Sequence, residues 1–241
     1  MVVSARIDRP NTPDDQGGSP PLLAAGAALG LCDVIIDFST ADASADLAAL
    51  AAAGGGPALV IGSTGFTPLQ DTAIAAAAGH IAIVKSGNFS LGVNLLSFLV
   101  EEAARCLGSE SWDIEILETH HRRKADAPSG TALLLGDAAS RGRGEALSAA
   151  RLPVRAGMTG ERPRGGVGFA SLRGGGVVGD HSVIFAAEDE LITLSHSARD
   201  RSLFARGALE AAVWASGAAP GLYGMREVME RFAAAVGGES R

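Results

Sequence analysis

The sequence predicts an α/β protein with three parts: a first unit with a parallel sheet, a second unit of helices and an open sheet, and a helical tail. Two observations support this prediction. Over the first 100 residues, short β-like runs alternate with alanine-rich helical stretches, which is typical of a parallel sheet with flanking helices. After residue 166, three β-like runs follow one another without a helical stretch between them, which indicates an antiparallel or mixed sheet.

Local signals place the elements of the first unit. Residues 2–7 predict a strand, and residues 11–21, rich in Pro, Gly and Asp, predict a loop. Alanine-rich helices are predicted after the second and third strands, the first of them capped by Ser39 or Thr40. Three further strands, the last two ending in polar turns, are predicted at residues 33–38, 58–66 and 81–90.

The second unit begins with apolar residues at helical spacing over residues 92–108. Residues 113–120 alternate polar and apolar side chains, which predicts a half-buried strand. A helix is predicted at residues 131–139, and residues 140–165, rich in Arg, Gly and Pro, predict a long surface loop. Three strands joined by short turns precede a helical tail that starts near residue 202; their sequences are VGFASLR, HSVIFAAE and ELITLSHSA.

Composition and charge narrow the class of protein. The 241 residues are 47% hydrophobic, which is enough for one large or two small domains with substantial cores. The net charge of −7 argues against a nucleic-acid partner, because phosphate contacts need a basic face. The sequence shows no apolar run typical of a membrane span or a signal peptide. Cys32 and Cys106 lack metal-ligand spacing and suggest a reducing compartment, with a disulfide as the alternative. We predict a cytoplasmic protein without a membrane partner.

The stretch ETHHRRKADAPSGTA concentrates side chains that carry chemistry. The strand predicted at residues 113–120 ends at His120, and catalytic groups often lie at strand ends in α/β proteins. His120 and His121 point to opposite faces if the strand continues, so we expect at most one of them to face a given ligand; a surface pair is the alternative. Lys124 is one of only two lysines among the 20 Lys and Arg residues. This usage suggests a need for an ammonium group that can release a proton, with chance as the alternative.

The turn that precedes the next helix has features of an anion site. Pro128 disfavours helix at the residue before it, and Ser129 is a natural helix N-cap. Gly130 lets a ligand approach the backbone, and Thr131 offers a hydroxyl and an N–H group. Because unpaired N–H groups at a helix start bind carboxylates or phosphates, these residues indicate a pocket for an anionic small molecule, with a carboxylate favoured.

Other features of the sequence give weaker signals. It has no HExxH, CxxC or Asp-rich loop, so no metal site is predicted. His181 and His196 fall within the predicted second sheet, where packing or solvent exposure is the favoured interpretation. The glycines of GGVGFASLRGGGVVG are interpreted as turns between antiparallel strands rather than as a phosphate-binding loop.

The motif Glu-x-His-His-x-x-Lys-x-Asp-Ala-Pro-Ser-Gly-Thr-Ala closely resembles the signature of the dihydrodipicolinate reductase family. The resemblance extends over nearly the whole chain, through the blocks IDFST, IGSTGF, SGNFSLGVN, TGERPRGGVGFASLRGGGVVGDH and GLYGMREVM. It implies a Rossmann-like dinucleotide-binding domain over residues 1–89 and 201–241. It also implies a substrate domain over residues 90–200, whose open mixed sheet builds a homotetramer.

The resemblance implies the reduction of 4-hydroxy-tetrahydrodipicolinate, a small cyclic dicarboxylate, by NADH or NADPH in lysine and diaminopimelate biosynthesis. It makes His120 the catalytic acid or base and Lys124 the proton donor or substrate anchor. Substrate binding is expected from His121 and from the carboxylate cradle of Ser129, Gly130 and Thr131. Cofactor binding is expected from Asp8 and Arg9 at the adenosine ribose. It is also expected from one turn beside the nicotinamide (Gly62, Ser63 and Thr64) and from a second turn that leads into the hinge (Ser86, Gly87, Asn88 and Phe89). Arg201 matches a position near the second hinge.

One departure from the family pattern concerns the start of the chain. The family begins with a strand and a Gly-x-x-Gly-x-x-Gly turn that seats the cofactor pyrophosphate, and this sequence has no such turn before VVSARI. We expect the dinucleotide-binding domain to be incomplete by roughly 30 residues on the usual ~150-residue domain scale. Two alternatives follow: a dicarboxylate-binding protein that has lost the cofactor, or an aspartate dehydrogenase-like reductase. The His-His-x-x-Lys spacing argues against the second.

Overall fold

The computed structural model of the chain describes residues 1–8 and 20–237, without the side chains of residues 232–237. The chain divides into two compact units. Met1–Phe89 together with Ala205–Arg241 form the first, and Ser90–Phe204 form the second.

The elements follow one another along the described residues in the order strand, helix, strand that the sequence predicts. The first half contains β1 (Arg6–Ile7), β2 (Leu22–Leu23), α1 (Ala25–Ala28), a 3₁₀ helix (Leu29–Leu31), β3 (Val34–Asp37), α2 (Ala41–Ala53), β4 (Ala58–Ile61), α3 (Pro68–Ala77), β5 (Ala82–Lys85) and α4 (Leu91–Cys106). The second half contains β6 (Asp113–His120), α5 (Gly130–Gly142), α6 (Leu147–Ala150), β7 (Val167–Arg173), β8 (Gly179–Ala186), β9 (Leu191–Ala198), α7 (Ser202–Ala215), β10 (Gly221–Tyr223) and α8 (Met225–Gly237).

The first unit contains a four-stranded parallel sheet with the strand order β10-β5-β4-β3. The register pairs Asp37 with Ile61 and Ile61 with Lys85, so the carboxyl ends of three strands meet at one edge of the sheet. β1 and β2 form a separate parallel pair. The apolar run of β4 is buried along its whole length, as expected for a central parallel strand. Helices α2 and α3 contribute alanines and isoleucine to the same core, which contains Ala48, Ala51, Leu59, Ile61, Ile74 and Ile83.

Side-chain caps set the starts of both helices. Thr40, one of the two predicted caps, accepts a hydrogen bond from the amide of Ala43 at the start of α2. Thr67 and Gln70 form a reciprocal capping box at the start of α3. These caps hold the loops that follow β3 and β4 close to the carboxyl edge of the sheet.

The second unit contains a mixed sheet with the strand order β7-β6-β8-β9. β6 pairs in parallel with β7 and antiparallel with β8, and β8 pairs antiparallel with β9. The even-numbered residues of β6 are buried, and they share a core with α4 and α5 that includes Leu96, Val100, Ile114, Ile116, Leu135, Val183 and Phe185. The predicted fold class, a parallel α/β unit followed by a unit with a mixed sheet, is confirmed.

Several predicted elements differ in detail from the structure. The strand predicted at residues 2–7 is limited to Arg6–Ile7, and the loop predicted at residues 140–165 contains α6. The loop predicted at residues 11–21 lies almost entirely outside the described residues. The short connection predicted after VGFASLR is present between β7 and β8, but these strands lie on either side of β6 and do not pair with each other. Among the described helices, none has both the length and the apolar character that a membrane span requires.

The opposite face of the mixed sheet carries apolar side chains. Leu117 and Ile184 lie there on the two central strands, in register with Ser182 and Glu115 respectively. Leu172 and Leu191 lie on the same face and are 53% and 69% exposed. Helices α4 and α5 contribute to the core on the other side of the sheet.

Candidate active site

The site is built at the end of β6, where a buried carboxylate and a buried imidazole point to the same face. Glu118 is 1% exposed and His120 is 8% exposed. They follow Ile114 and Ile116 at alternate positions, so the strand period that builds the core also buries these two polar groups. A buried charge is stable only when it is paired and hydrogen-bonded, which makes the partners of Glu118 decisive.

Both carboxylate oxygens of Glu118 accept hydrogen bonds, and the side chain of Ser171 is one of the donors. Arg173, which lies on β7, donates to Oε1 at 2.7 Å and to Oε2 at 2.8 Å. The amide of Ser129 donates to Oε1 at 3.2 Å. His120 Nδ1 lies 2.5 Å from Oε2. The bidentate contact between Arg173 and Glu118 is charge-assisted, and such pairs are among the strong hydrogen-bonded contacts of a carboxylate.

The ionisation of Glu118 fixes the proton on the His120 ring. Burial opposes ionisation, but hydrogen bonds from Arg173, Ser171 and His120 outweigh it and lower the pKa of Glu118 to about 2. An ionised carboxylate only accepts, so Nδ1 of His120 must carry the hydrogen and donate it to Glu118. The other ring nitrogen, Nε2, is therefore the atom that can exchange a proton with a ligand.

Ser129 lies between the carboxylate and a second buried histidine. It is the N-cap of α5, and its hydroxyl oxygen accepts from the amide of Ala132 at 3.1 Å. The same oxygen lies 2.9 Å from Nε2 of His181, which belongs to β8 and is 4% exposed. The predicted N-cap is thus present, but its amide faces Glu118, so a ligand could meet only its hydroxyl and the amides that follow.

His181 packs edge-on against His120, with ring centroids 5.1 Å apart. Burial, followed by the proximity of His120, lowers the pKa of His181 to about 4, so this ring is neutral at physiological pH. Gly179 leaves room for the His120 ring, because a β-carbon there would lie 3.0 Å from Nε2 of His120. The sequence left packing or solvent exposure open for His181; the structure buries it and adds a hydrogen bond to Ser129, a predicted substrate-binding residue.

Of the four other predicted site residues of this segment, Gly130 and Thr131 are the first residues of α5, and His121 and Lys124 lie in the turn after β6. The Nζ atom of Lys124 is 2.9 Å from Asp126, and this contact lowers the pKa of Asp126. The backbone oxygen of Asp126 accepts from Arg173 at 2.7 Å, so the same arginine holds both Glu118 and the lysine turn. Nε2 of His121 lies 3.4 Å from a guanidinium nitrogen of Arg201.

Arg201 was predicted near the cofactor, but in the structure it belongs to the second unit together with His121. Partial burial and the cations of Arg123 and Arg201 lower the pKa of His121. The roles of Lys124, His121 and Arg201 stay predictions.

The segment of residues 174–178 crosses over the end of β6. The amide of Gly174 donates to the carbonyl of His120 at 2.9 Å, and the amide of His121 donates to Val177 at 2.7 Å. The crossing follows from the strand order, since the chain must pass from β7 to β8 around the strand between them. The glycine-rich sequence that was interpreted as a turn between antiparallel strands therefore closes the strand end that carries His120.

Glu118, His120 and His181 each place one potential ligand atom within 4.8 Å of the others, the spacing of a metal site. Arg173 already binds both oxygens of Glu118, and a metal ion there would add a second positive charge next to its guanidinium. We therefore interpret the cluster as a hydrogen-bond network. The expectation of no metal stays a prediction.

A second candidate site lies in the first unit, at the carboxyl edge of its parallel sheet. Ligands of parallel α/β sheets bind outside this edge. The loops after β4 and β5 enclose an open cavity of about 410 Å³, lined by Ser63, Thr64, Gly65, Phe66, Asp71, Lys85, Ser86 and Gly87. Four of the predicted cofactor-binding residues, Ser63, Thr64, Ser86 and Gly87, are thus brought together.

The remaining predicted cofactor-binding residues lie around this edge or apart from it. Gly62 packs against the ring of Phe38, where a β-carbon would clash. Asn88 is buried, and Phe89 is 1% exposed with its ring against Phe38, so a contact with a ligand would come from the backbone of Phe89. Asp8 is exposed next to β1. Arg9 lies outside the described residues.

Comparisons with known proteins decide the family. The family description "Dihydrodipicolinate reductase, N-terminus" matches residues 22–89, and "Dihydrodipicolinate reductase, C-terminus" matches residues 92–229. The chain belongs to the dihydrodipicolinate reductase family. This is the family that the His-His-x-x-Lys motif predicted, rather than that of an aspartate dehydrogenase-like reductase.

Curated members of the dihydrodipicolinate reductase family are close relatives of the chain. The 4-hydroxy-tetrahydrodipicolinate reductase of Caulobacter vibrioides is 56% identical over 228 residues, which are 95% of this chain and 87% of the relative. The enzyme of the same name from Rhizobium rhizogenes is 60% identical over 200 residues, 82% of this chain and 72% of the relative. The solved dipicolinate-bound dihydrodipicolinate reductase from Paenisporosarcina sp. TG-14 has a TM-score of 0.73 at 22% identity, covering 92% of this chain and 87% of that structure. This likeness confirms the Rossmann-like fold class.

Three residues of the network were missed as site residues from the sequence: Glu118, Arg173 and His181. A signal existed for Glu118, because the alternation that buries Ile114 and Ile116 also buries it. The other two are more than 50 residues away from their partners, Glu118 and Ser129. Only strand pairing, which opposes His120 to Arg173 and Glu118 to His181, reveals them.

We predict that His181 makes the protein acid-sensitive. Its folded pKa of about 4 lies below its ordinary value of 6.5, so the unfolded chain takes up a proton first as the pH falls. The free energy of unfolding should fall by about 2 kcal/mol more in the wild type than in His181→Gln between pH 7 and pH 4.5. Urea unfolding at a series of pH values measures this difference.

The exposed His80 provides the control for this measurement. His80→Gln should keep the pH dependence of the wild type. Equal pH dependence in His181→Gln and the wild type would contradict the burial of a neutral His181.

Proposed function

We propose that this chain reduces 4-hydroxy-tetrahydrodipicolinate to tetrahydrodipicolinate with NADH or NADPH. The products are the oxidised nucleotide and water, and one proton is consumed. The observation that supports this proposal most directly is the His120 ring, held by an ionised Glu118 with Nε2 directed away from that carboxylate. It lies in a segment with a lysine and a capped helix start, within a chain whose curated relatives carry this enzyme name.

The residues near His120 fit a small dicarboxylate. The amides at the start of α5 are hydrogen-bond donors for one carboxylate, and the helix dipole favours a negative charge there. The hydroxyl of Ser129 is a further donor when Nε2 of His181 carries the hydrogen of their contact. Lys124 and His121 lie in the turn that leads to this helix and supply a cation and a further polar group. In this proposal the ammonium group of Lys124 breaks its contact with Asp126 and binds the substrate. Lys124 and Nε2 of His120 are then the groups that take part in the proton transfer.

The carboxyl edge of the first unit fits a nicotinamide dinucleotide. Ser63, Thr64, Ser86 and Gly87 bring hydroxyl and backbone groups around one open cavity at that edge. The nucleotide supplies the hydride when bound. Asp8 and Arg9 are the residues we propose for the adenosine ribose, and Arg9 allows either nucleotide. We also propose a cytoplasmic location, where Cys32 and Cys106 persist as free thiols.

We predict that His120→Ala and Lys124→Ala each lower the rate of nucleotide oxidation with 4-hydroxy-tetrahydrodipicolinate at least about 100-fold, the usual contribution of a positioned acid or base. Assays with the full chain that follow the oxidation of NADH and, separately, of NADPH measure this rate. Arg122→Ala is the control, because this neighbouring arginine is exposed, and it should stay within about threefold of the wild type.

Calorimetry separates this reaction from the binding-protein alternative. Pyridine-2,6-dicarboxylate, a planar mimic of the substrate, should bind to the wild type and more weakly to Lys124→Ala. Binding of the mimic without binding of either nucleotide would favour the dicarboxylate-binding alternative. Unchanged turnover in both the His120 and the Lys124 variants would reject the assigned roles.

We propose that copies of the chain assemble into a homotetramer through the open face of the mixed sheet. Leu117 and Ile184 at its centre, with Leu172 and Leu191 near its edges, form the kind of apolar surface that marks an interface. Leu117→Arg should convert the tetramer into smaller species in sedimentation velocity, because a buried unpaired charge is strongly destabilising. Leu69→Arg, at an exposed position of α3, should leave the tetramer intact; a monomeric wild type would contradict the proposal.

A further inference from the structure

A chain of three buried polar side chains leads from β3 to the cavity of the first unit. The hydroxyl of Ser44 donates to Oδ2 of Asp37 at 2.5 Å, and the hydroxyls of Ser44 and Ser63 lie 2.6 Å apart. Oδ1 of Asp37 accepts from the amide of Ser39 at 2.8 Å. All three members of the chain are buried, with Asp37 at 7%, Ser44 at 0% and Ser63 at 8% exposure. Ser63 also lines the cavity.

The order of these bonds fixes the direction of each proton. A serine hydroxyl has one hydrogen to donate, and that of Ser44 goes to Asp37. Ser44 can therefore only accept from Ser63 across the 2.6 Å contact. The single hydrogen of Ser63 points into the protein, and lone pairs are all that its oxygen can offer to the cavity.

We infer that Asp37 and Ser44 are positioning residues that make Ser63 an obligatory hydrogen-bond acceptor for the cofactor. A phosphate or carboxylate oxygen has no hydrogen to give and gains nothing from Ser63. A primary amide has two hydrogens and fits. The inference rests on the proposed function, in which the amide is the carboxamide of the nicotinamide ring. Asp37 and Ser44 then act on cofactor choice without touching the cofactor.

The test compares the binding of two reduced dinucleotides to the full chain by calorimetry. NADH carries the carboxamide, and its 3-acetylpyridine analogue carries a methyl ketone in its place. Wild type should prefer NADH, and Ser63→Ala should reduce the ratio of the two dissociation constants about tenfold, which corresponds to one hydrogen bond. The hypoxanthine analogue of NADH lacks the adenine amine. The ratio of its dissociation constant to that of NADH should be the same in the wild type and in Ser63→Ala.

Asp37→Asn tests the direction of the hydrogen bonds that connect Ser63, Ser44 and Asp37. The amide of Ser39 keeps an oxygen at the Oδ1 position, so the new NH₂ group faces Ser44. That group donates to Ser44, Ser44 donates to Ser63, and the hydrogen of Ser63 turns toward the cavity. The preference for NADH should then fall about as far as in Ser63→Ala, although Ser63 itself is unchanged.

Two further variants guard this result. Ser44→Ala removes the acceptor of the Ser63 hydrogen and should also lower the preference for NADH over the 3-acetylpyridine analogue. This variant replaces Asp37→Asn if thermal unfolding shows that Asp37→Asn does not fold. Asp42→Asn changes an exposed carboxyl of α2 and should keep the wild-type ratio.

The outcomes distinguish this inference from the proposed function. A wild type that binds no dinucleotide overturns both. Binding with the same ratio in wild type, Ser63→Ala and Asp37→Asn overturns the inference alone. A change confined to the hypoxanthine analogue overturns the assignment to the carboxamide.

Discussion

The site depends on one ion pair, between the buried Glu118 of β6 and the partly exposed Arg173 of β7. A carboxylate that is 1% exposed would be strongly destabilising alone, and the guanidinium that binds both of its oxygens makes its burial tolerable. Because Glu118 stays ionised, it can only accept hydrogens, and this requirement orients the His120 ring. The same arginine holds the carbonyl of Asp126, so loss of one side chain would release both the imidazole and the lysine turn.

Strand order is what brings the partners together. With β7 and β8 on either side of β6, Arg173 approaches Glu118 from one neighbour and His181 approaches Ser129 from the other. The segment between the two outer strands must then cross the end of β6, where it binds the backbone of His120 and His121. Topology, rather than the local turn sequence, therefore closes this end of the sheet.

Local sequence signals predicted the frame of the site but not the network within it. Alternation placed a strand at residues 113–120 with His120 at its end, and the N-cap preference of Ser129 placed the helix start. Nothing local links Glu118 to Arg173, which lies 55 residues away, because pairing register is a tertiary property. The direction of the Asp37–Ser44–Ser63 chain likewise depends on distances that no sequence pattern contains.

The central claim is that ionised Glu118 fixes the hydrogen of His120 on Nδ1. Nitrogen-15 NMR of the histidine-labelled chain at pH 9, with the His120 signal assigned from its loss in His120→Gln, tests this claim most directly. The account predicts the Nδ1–H tautomer for His120 in the wild type and a mixture in Glu118→Gln, whose side-chain amide can donate to Nδ1 as well as accept from it. A wild-type ring that carries its hydrogen on Nε2 would contradict the account.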